Sequence, residues 1–324
     1  MNNQPIPPPA APAVVETQSP GPAPRFGGTV QTYRWNAQGL TMRVVYEVIG
    51  QGQPMLLLPA FSSVCSRTEM GDLARELAAK YQVYVFDWIG FGDSDRPQID
   101  YAPKVYRALL RTFVNTVIGE PPIVIAAGHT AGYVMQLAQE TPQPWKWVVL
   151  VSPTWRGPLP TMMGGNDGEK RRNLFKWVQN LVGTPVLGQF LYWLNTTQGF
   201  LRWMYGRHVF ANSENISPAL VQLKQGLTRQ KNGRFASVAF VTGALDPLRS
   251  RDDWVSLFQP IPVPVLMVIG AHMPPKSRQE AEVVAHFGGG VQVVRMPGSL
   301  GLHEEYPEML AERILVSLDK FFGR

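Results

Sequence analysis

Apolar and polar positions along the chain alternate between two rhythms. Short runs such as "PMLLLPAF", "QVYVF", "PIVIAAG" and "WKWVVLVSP" are apolar at nearly every position, as strands buried on both faces of a parallel sheet are. Between them, "RTEMGDLARELAAKY" and "PKVYRALLRTFVNTVIG" place apolar residues every three or four positions, the spacing of amphipathic helices. Ahead of this series, "TVQTYRWNAQGLTMRVVYEVIG" (29–50) predicts two strands around "NAQG". The beat stops near residue 154 and gives way to a stretch rich in Trp, Met, Phe and Gly without strand patterning. It resumes with the strand "VPVLMVIG" (263–270), the helix "SRQEAEVVAHFG", the strand "VQVVRMPG" and a last helix, "PEMLAERILVSLDKFF". Strands and helices at this spacing suit right-handed parallel crossovers. The pattern therefore predicts an α/β fold with a mostly parallel central sheet flanked by helices. Its core covers 27–153 and 236–324, a helical insertion covers 154–235, and there are no internal repeats.

Composition narrows this little. A chain of 324 residues, 45% hydrophobic, can bury a substantial core. The first 25 residues hold eight prolines and almost no charge, and lack the basic and apolar regions of a signal peptide. Residues 1–26 are expected to be a disordered or polyproline-II tail. No apolar stretch is long and clean enough to span a bilayer. The single cysteine, Cys65, excludes an intrachain disulfide and fits a reducing cytoplasm. The five histidines show no zinc spacing, and no cofactor or metal is implied. The net charge of +6 is a mild excess. Its densest run, "EKRRNLFKW" (169–177), reads first as a solvated helix face, then as a patch for anionic lipid, and last as a nucleic-acid contact.

The candidate chemistry starts at "GHTAGY" (128–133), between a strand and a helix. Gly128, Thr130 and Gly132 follow the spacing of a G-x-S-x-G nucleophile elbow with threonine at its centre. Three more stretches accompany it in order: "LLLPAFSS", "FDWIGFGDSDRP" and "PGSLGLHEEYPEML". Together they resemble the α/β-hydrolase superfamily over most of residues 30–324. Asp87, Gly90, Gly92, Ser94 and Pro97 match its D-x-x-G-x-G-x-S-x-x-P loop, and His303 stands where it carries its terminal histidine. The resemblance implies the α/β-hydrolase fold, with the insertion forming a cap over the active site.

Under that resemblance Thr130 is the nucleophile and His303 the general base, with the backbone N–H groups of Phe61 and Ala131 as the oxyanion hole. Two readings of Thr130 stand side by side, because a β-branched residue suits a strained positive-φ turn poorly. It is either a working nucleophile or only a turn residue. His303 is read as a base ahead of a helix-contacting residue. The usual acid position carries Met273, leaving Asp246 as the candidate acid if its loop folds back toward His303. Asp87 and Ser94 are read as structural. His129, Trp155 and Trp193 are candidate pocket residues, although more than half of the insertion's aromatic rings are expected to fill its own core.

The expected function is hydrolysis of an ester or related acyl bond in an apolar small molecule or lipid, by Thr–His chemistry without the usual acid. The alternative is a non-catalytic binder of an apolar ligand or protein partner. A dehalogenase-like chemistry is disfavoured, since it would place Asp at position 130. No nucleic-acid partner is expected, and the cap could rest on a membrane surface.

Overall fold

The computed structural model describes residues 22–163, 177–178, 181–182, 184 and 186–323. Most of the proline-rich tail (1–21) and most of "EKRRNLFKW" lie outside the described residues. Strands β1 (Thr29–Ala37) and β2 (Leu40–Ile49) form an antiparallel hairpin. Its two-residue turn, Gln38-Gly39, has φ of +53° and +73°. Positive φ at both central positions gives a tight hairpin the twist of its strands.

The remaining strands are β3 (Pro54–Leu58), β4 (Gln82–Phe86), β5 (Ile123–Ala127), β6 (Trp147–Val151), β7 (Val265–Gly270) and β8 (Gln292–Met296). The eight form one sheet in the order β1-β2-β4-β3-β5-β6-β7-β8. It is parallel from β4 to β8, and β2 pairs antiparallel with both of its neighbours. Crossover helices α1 (Gly71–Leu77), α2 (Pro103–Phe113) and α3 (Thr130–Ala138) connect the first parallel strands.

Between β6 and β7 the described elements are all helical: α4 (Pro158–Met163), α5 (Leu187–Leu194), α6 (Gln198–Met204), α7 (Pro218–Thr228), α8 (Gly233–Val241) and α9 (Arg251–Ser256), with shorter 3-10 and π turns. The chain closes with α10 (Pro275–Phe287), α11 (Leu302–Glu305) and α12 (Pro307–Phe322).

The apolar strands bury both faces, and the pleat sorts their side chains. Met55, Leu57, Ile123, Ile125, Trp147 and Val149 join Leu73 of α1 and Ile314 of α12 in one layer. Leu56, Leu58, Val124, Ala126, Val148 and Leu150 join Leu109 of α2 and Val134 of α3 in the other. Side chains alternating at period two explain this without further assumption. A third cluster, including Leu201, Tyr205, Ile216 and Val221, joins the inserted helices to Val64 in the loop after β3.

Residues 25–28 are tied to the sheet. The Glu47 carboxylate accepts from the N–H groups of Arg25, Phe26 and Gly28 at 2.9, 3.1 and 2.9 Å, and Phe26 is buried.

Candidate functional site

The turn between β5 and α3 determines what faces the site. β5 runs to Ala127, and the Gly128 N–H continues its ladder by donating to the Val151 carbonyl at 2.9 Å. Gly128 then takes φ +54°, the left-handed region. His129 already has right-handed helical angles (φ −68°, ψ −21°), and α3 starts at Thr130. The sharp turn thus falls on Gly128, two residues before the position expected from the sequence. Glycine tolerates such a φ cheaply, whereas threonine does not. A Cβ on Gly128 would stand 3.2 Å from the Ala60 Cβ and 4.0 Å from Thr154 Oγ1.

This corrects the expected placement of two residues. Thr130 is fully buried in the first helical turn, and its hydroxyl donates to the Ala127 carbonyl at 2.8 Å. Ala131 lies inside that same turn, where its N–H donates to the Gly128 carbonyl at 3.3 Å instead of standing ready for an oxyanion. The N–H immediately after the turn residue belongs to His129.

Large rings occupy the space beside the turn. Phe61 is buried, with its ring 5.0 Å from Trp88, 4.9 Å from Tyr106 and 5.6 Å from Tyr133. Tyr133, at the end of "GHTAGY", donates its hydroxyl to the Leu245 carbonyl at 2.5 Å.

Asp246 does fold back, but toward His129. Its Oδ1 stands 3.3 Å from His129 Nε2 and accepts the Gly157 N–H at 2.8 Å. His129 Nε2 also lies 3.1 Å from the Leu245 carbonyl. Burial pushes the His129 pKa down to about 4, against the opposing pull of the Leu245 carbonyl, so the ring is neutral at neutral pH. Burial also pushes the Asp246 carboxyl well above its usual range, opposed by the Gly157 N–H and Arg156. The expected pairing of Asp246 with His303 is therefore replaced by a pairing with His129.

His303 lies in α11, between β8 and the final helix, and is buried. Neither of its ring nitrogens has a hydrogen-bond partner among the described residues, so the Thr130 hydroxyl is not bonded to it. The nearest carboxylate recorded for it is Glu69, whose Oε2 stands 3.8 Å from Nε2. Beside them lies a buried ion cluster. Lys224 Nζ of α7 is 2.7 Å from Glu304 and 3.4 Å from Glu69, and its side chain is 1% exposed. Burial opposes the ammonium, but Glu304 and Glu69 outweigh it and hold the Lys224 pKa well above its ordinary value. Burial raises the Glu304 carboxyl, and Lys224 pulls it back.

Sequence reasoning missed this cluster. Its signal was present: in α7 the buried positions Val221, Lys224, Gln225 and Thr228 share one face, with a lysine in the inward stripe. Cys65 is also buried, and burial, followed by Glu69 and Asp87, pushes its thiol well up. It lacks the electropositive surroundings of a reactive thiol.

The "FDWIGFGDSDRP" loop is held from within. Asp87 pairs with the buried guanidinium of Arg67 and accepts the N–H groups of Arg67 and Asp93 at 2.6 and 2.9 Å. Ser94 Oγ donates to the Asp87 carbonyl at 2.7 Å and accepts the Val45 N–H at 2.8 Å. Both residues tie the loop to the sheet.

The two tryptophans singled out from the sequence part company. Trp155 is buried, stacked under Arg156 at 4.0 Å, and donates from Nε1 to Glu280 at 3.2 Å. Trp193 is 53% exposed on α5 and faces solvent, which corrects its assignment to a pocket wall.

The fold and the relatives agree. The model of the "Alpha/beta hydrolase family" matches residues 55–313. A probable hydrolytic enzyme from Pseudomonas aeruginosa superposes with a TM-score of 0.68 at 17% identity, covering 95% of this chain and 99% of that one. A thermophilic esterase from Thermogutta terrifontis gives 0.67 at 19% identity, covering 90% and 98%. In sequence, a protein of Mycobacterium tuberculosis is 26% identical over 110 residues, which span 34% of this chain and only 32%, about a third, of that relative's length. The match of the family model over most of the chain, carried by an eight-stranded sheet with its strand–turn–helix at Gly128, shows that the protein belongs to the alpha/beta hydrolase family.

Proposed function

We propose that this chain is a family member that has exchanged covalent hydrolysis for binding, holding an apolar ligand or a protein partner on the hydrolase scaffold. One observation carries the reading: the strained turn residue is Gly128, which presents no side chain. Covalent acyl transfer needs a nucleophile at that turn, within reach of a base that takes its proton. The helical Thr130, bonded to the Ala127 carbonyl, meets neither requirement. The His303 nitrogens, without a hydrogen-bond partner among the described residues, and the rings of Phe61 and Tyr133 packed beside the turn support the same reading.

The test pairs turnover with binding. Hydrolysis of p-nitrophenyl esters by the full chain should not exceed that of the Thr130→Ala and His303→Ala variants. A dansyl-labelled fatty acid should bind the wild type and the His303→Ala variant alike. Ester turnover that falls at least tenfold in both variants would overturn the proposal.

That outcome would favour a second reading, hydrolysis of an acyl bond in an apolar molecule or lipid by Thr130 and His303. Family membership and the position of His303 between the last strand and the last helix support it.

A further inference from the structure

The inserted helices carry an apolar face that nothing among the described residues covers. On α5, Leu187, Phe190, Trp193 and Leu194 are 49%, 54%, 53% and 51% exposed. Their spacing of three, four or seven residues puts them on one side of the helix. The opposite side is occupied: Gly188 and Tyr192 are buried, and the Tyr192 hydroxyl lies 3.5 Å from Ser237 Oγ of α8. On α6, Phe200 and Trp203 repeat the arrangement at 36% and 59% exposure. The rings pair with each other in the open, Phe190 with Trp193 at 6.0 Å and Phe200 with Trp203 at 5.7 Å. Single exposed apolar side chains are ordinary, but six on two successive helices are a surface that water disfavours.

Charge identifies what the face meets. From residue 170 to residue 213 the sequence holds six Lys or Arg and no Asp or Glu. The whole chain holds 30 basic and 24 acidic residues, so everything outside that segment carries 24 of each. The entire net charge of +6 therefore resides in the segment that bears the aromatic face. Among the described residues Arg202 and Arg207 lie exposed beside Trp203 in sequence. Tryptophan and phenylalanine with interspersed cations, free of carboxylates, are the composition of surfaces that settle at the headgroup boundary of an anionic bilayer. No described helix is long and apolar enough to cross a membrane.

We infer that the α5–α6 face docks the protein on an anionic lipid bilayer, with Phe190, Trp193, Phe200 and Trp203 entering the interface and Arg202 and Arg207 meeting the headgroups. The inference stands whether or not the chain hydrolyses anything, because it uses no residue of the turn or of the His303 cluster.

Co-sedimentation of the full chain with phosphatidylcholine vesicles, with and without phosphatidylglycerol, tests it. The wild type should pellet with the anionic vesicles and be released by added salt. The Trp193→Ser/Trp203→Ser double variant should bind about tenfold more weakly or worse. Phe287→Ser, which removes a comparably exposed ring (56%) from α10, should bind as the wild type does. A circular dichroism spectrum and a urea midpoint matching those of the wild type establish that each variant is folded. The inference fails if the wild type pellets with neither vesicle, or if the double variant binds undiminished. It also fails if light scattering finds a wild-type dimer that the double variant turns into a monomer, since a second copy would then cover the face.

Discussion

Replacing Lys224 with methionine should separate the energetics of the buried cluster from its packing. The substitution keeps an unbranched side chain, one heavy atom shorter, and removes its charge. Lys224 is 1% exposed, and its ammonium lies 2.7 Å from Glu304 and 3.4 Å from Glu69, with the Tyr205 ring 5.6 Å away. Without it, two buried carboxylates face each other, and beside them lies His303, whose Nε2 is 3.8 Å from Glu69. Removing one partner of a buried pair costs about 3–5 kcal/mol, most of it the penalty of the charge left behind.

The loss depends on pH in a defined direction. Burial raises the Glu304 carboxyl above its unfolded value, so the folded state binds the proton more readily than the unfolded chain. Stability from such a group is full below the unfolded pKa and declines as pH rises through the folded one. In Lys224→Met, with the counter-charge gone, that decline is steeper. Urea unfolding followed by circular dichroism at pH 8 and pH 5 should therefore show the deficit of the variant narrowing at the lower pH. A deficit below about 1 kcal/mol at pH 8 would refute the account, as would one that pH leaves unchanged.

Three further outcomes follow from the site. The His129 ring, with its pKa pushed down to about 4, should show no NMR titration between pH 5 and 8 and should disfavour the fold only as pH falls below the ordinary histidine range; a midpoint near 6.5 would contradict its burial. Gly92→Ala drives a Cβ into the Asp87 carboxylate at φ +52° and should cost at least ~3 kcal/mol in a urea melt, whereas Gly119→Ala, at φ +82° with open space around it, should cost about 1 kcal/mol. Equal losses would mean that the Asp87 contact contributes nothing. Tyr133→Phe removes the donor to the Leu245 carbonyl and should cost about 1 kcal/mol, with no loss expected if that bond is absent in solution.

The sheet was legible because burial on both faces writes itself into the strands. The all-apolar "PMLLL", "PIVIAA" and "WVVLV" became β3, β5 and β6 within a residue or two, and the "NAQG" turn fell between β1 and β2. The site was less legible, for a specific reason. "GHTAGY" carries only two glycines, four residues apart, and so short a template fits in more than one register. Where the turn falls depends on where β5 stops pairing with β6, at Ala127 and Val151, which is a tertiary fact. The relevant local rule was that threonine is a poor host for positive φ, and Gly128 was the residue able to take it. Asp246 posed the same difficulty at longer range, since its choice of His129 over His303 follows from packing between α3 and the loop after α8. Lys224 needed no tertiary knowledge, only attention to a charge in the apolar stripe of a helix.

The central claim is that the turn presents Gly128 and that Thr130 is not poised there as a nucleophile. Intact-mass and peptide mass spectrometry after incubation of the full chain with a fluorophosphonate probe tests it most directly. The account predicts an unmodified chain. An adduct on Thr130 that disappears in both Thr130→Ala and His303→Ala would contradict it.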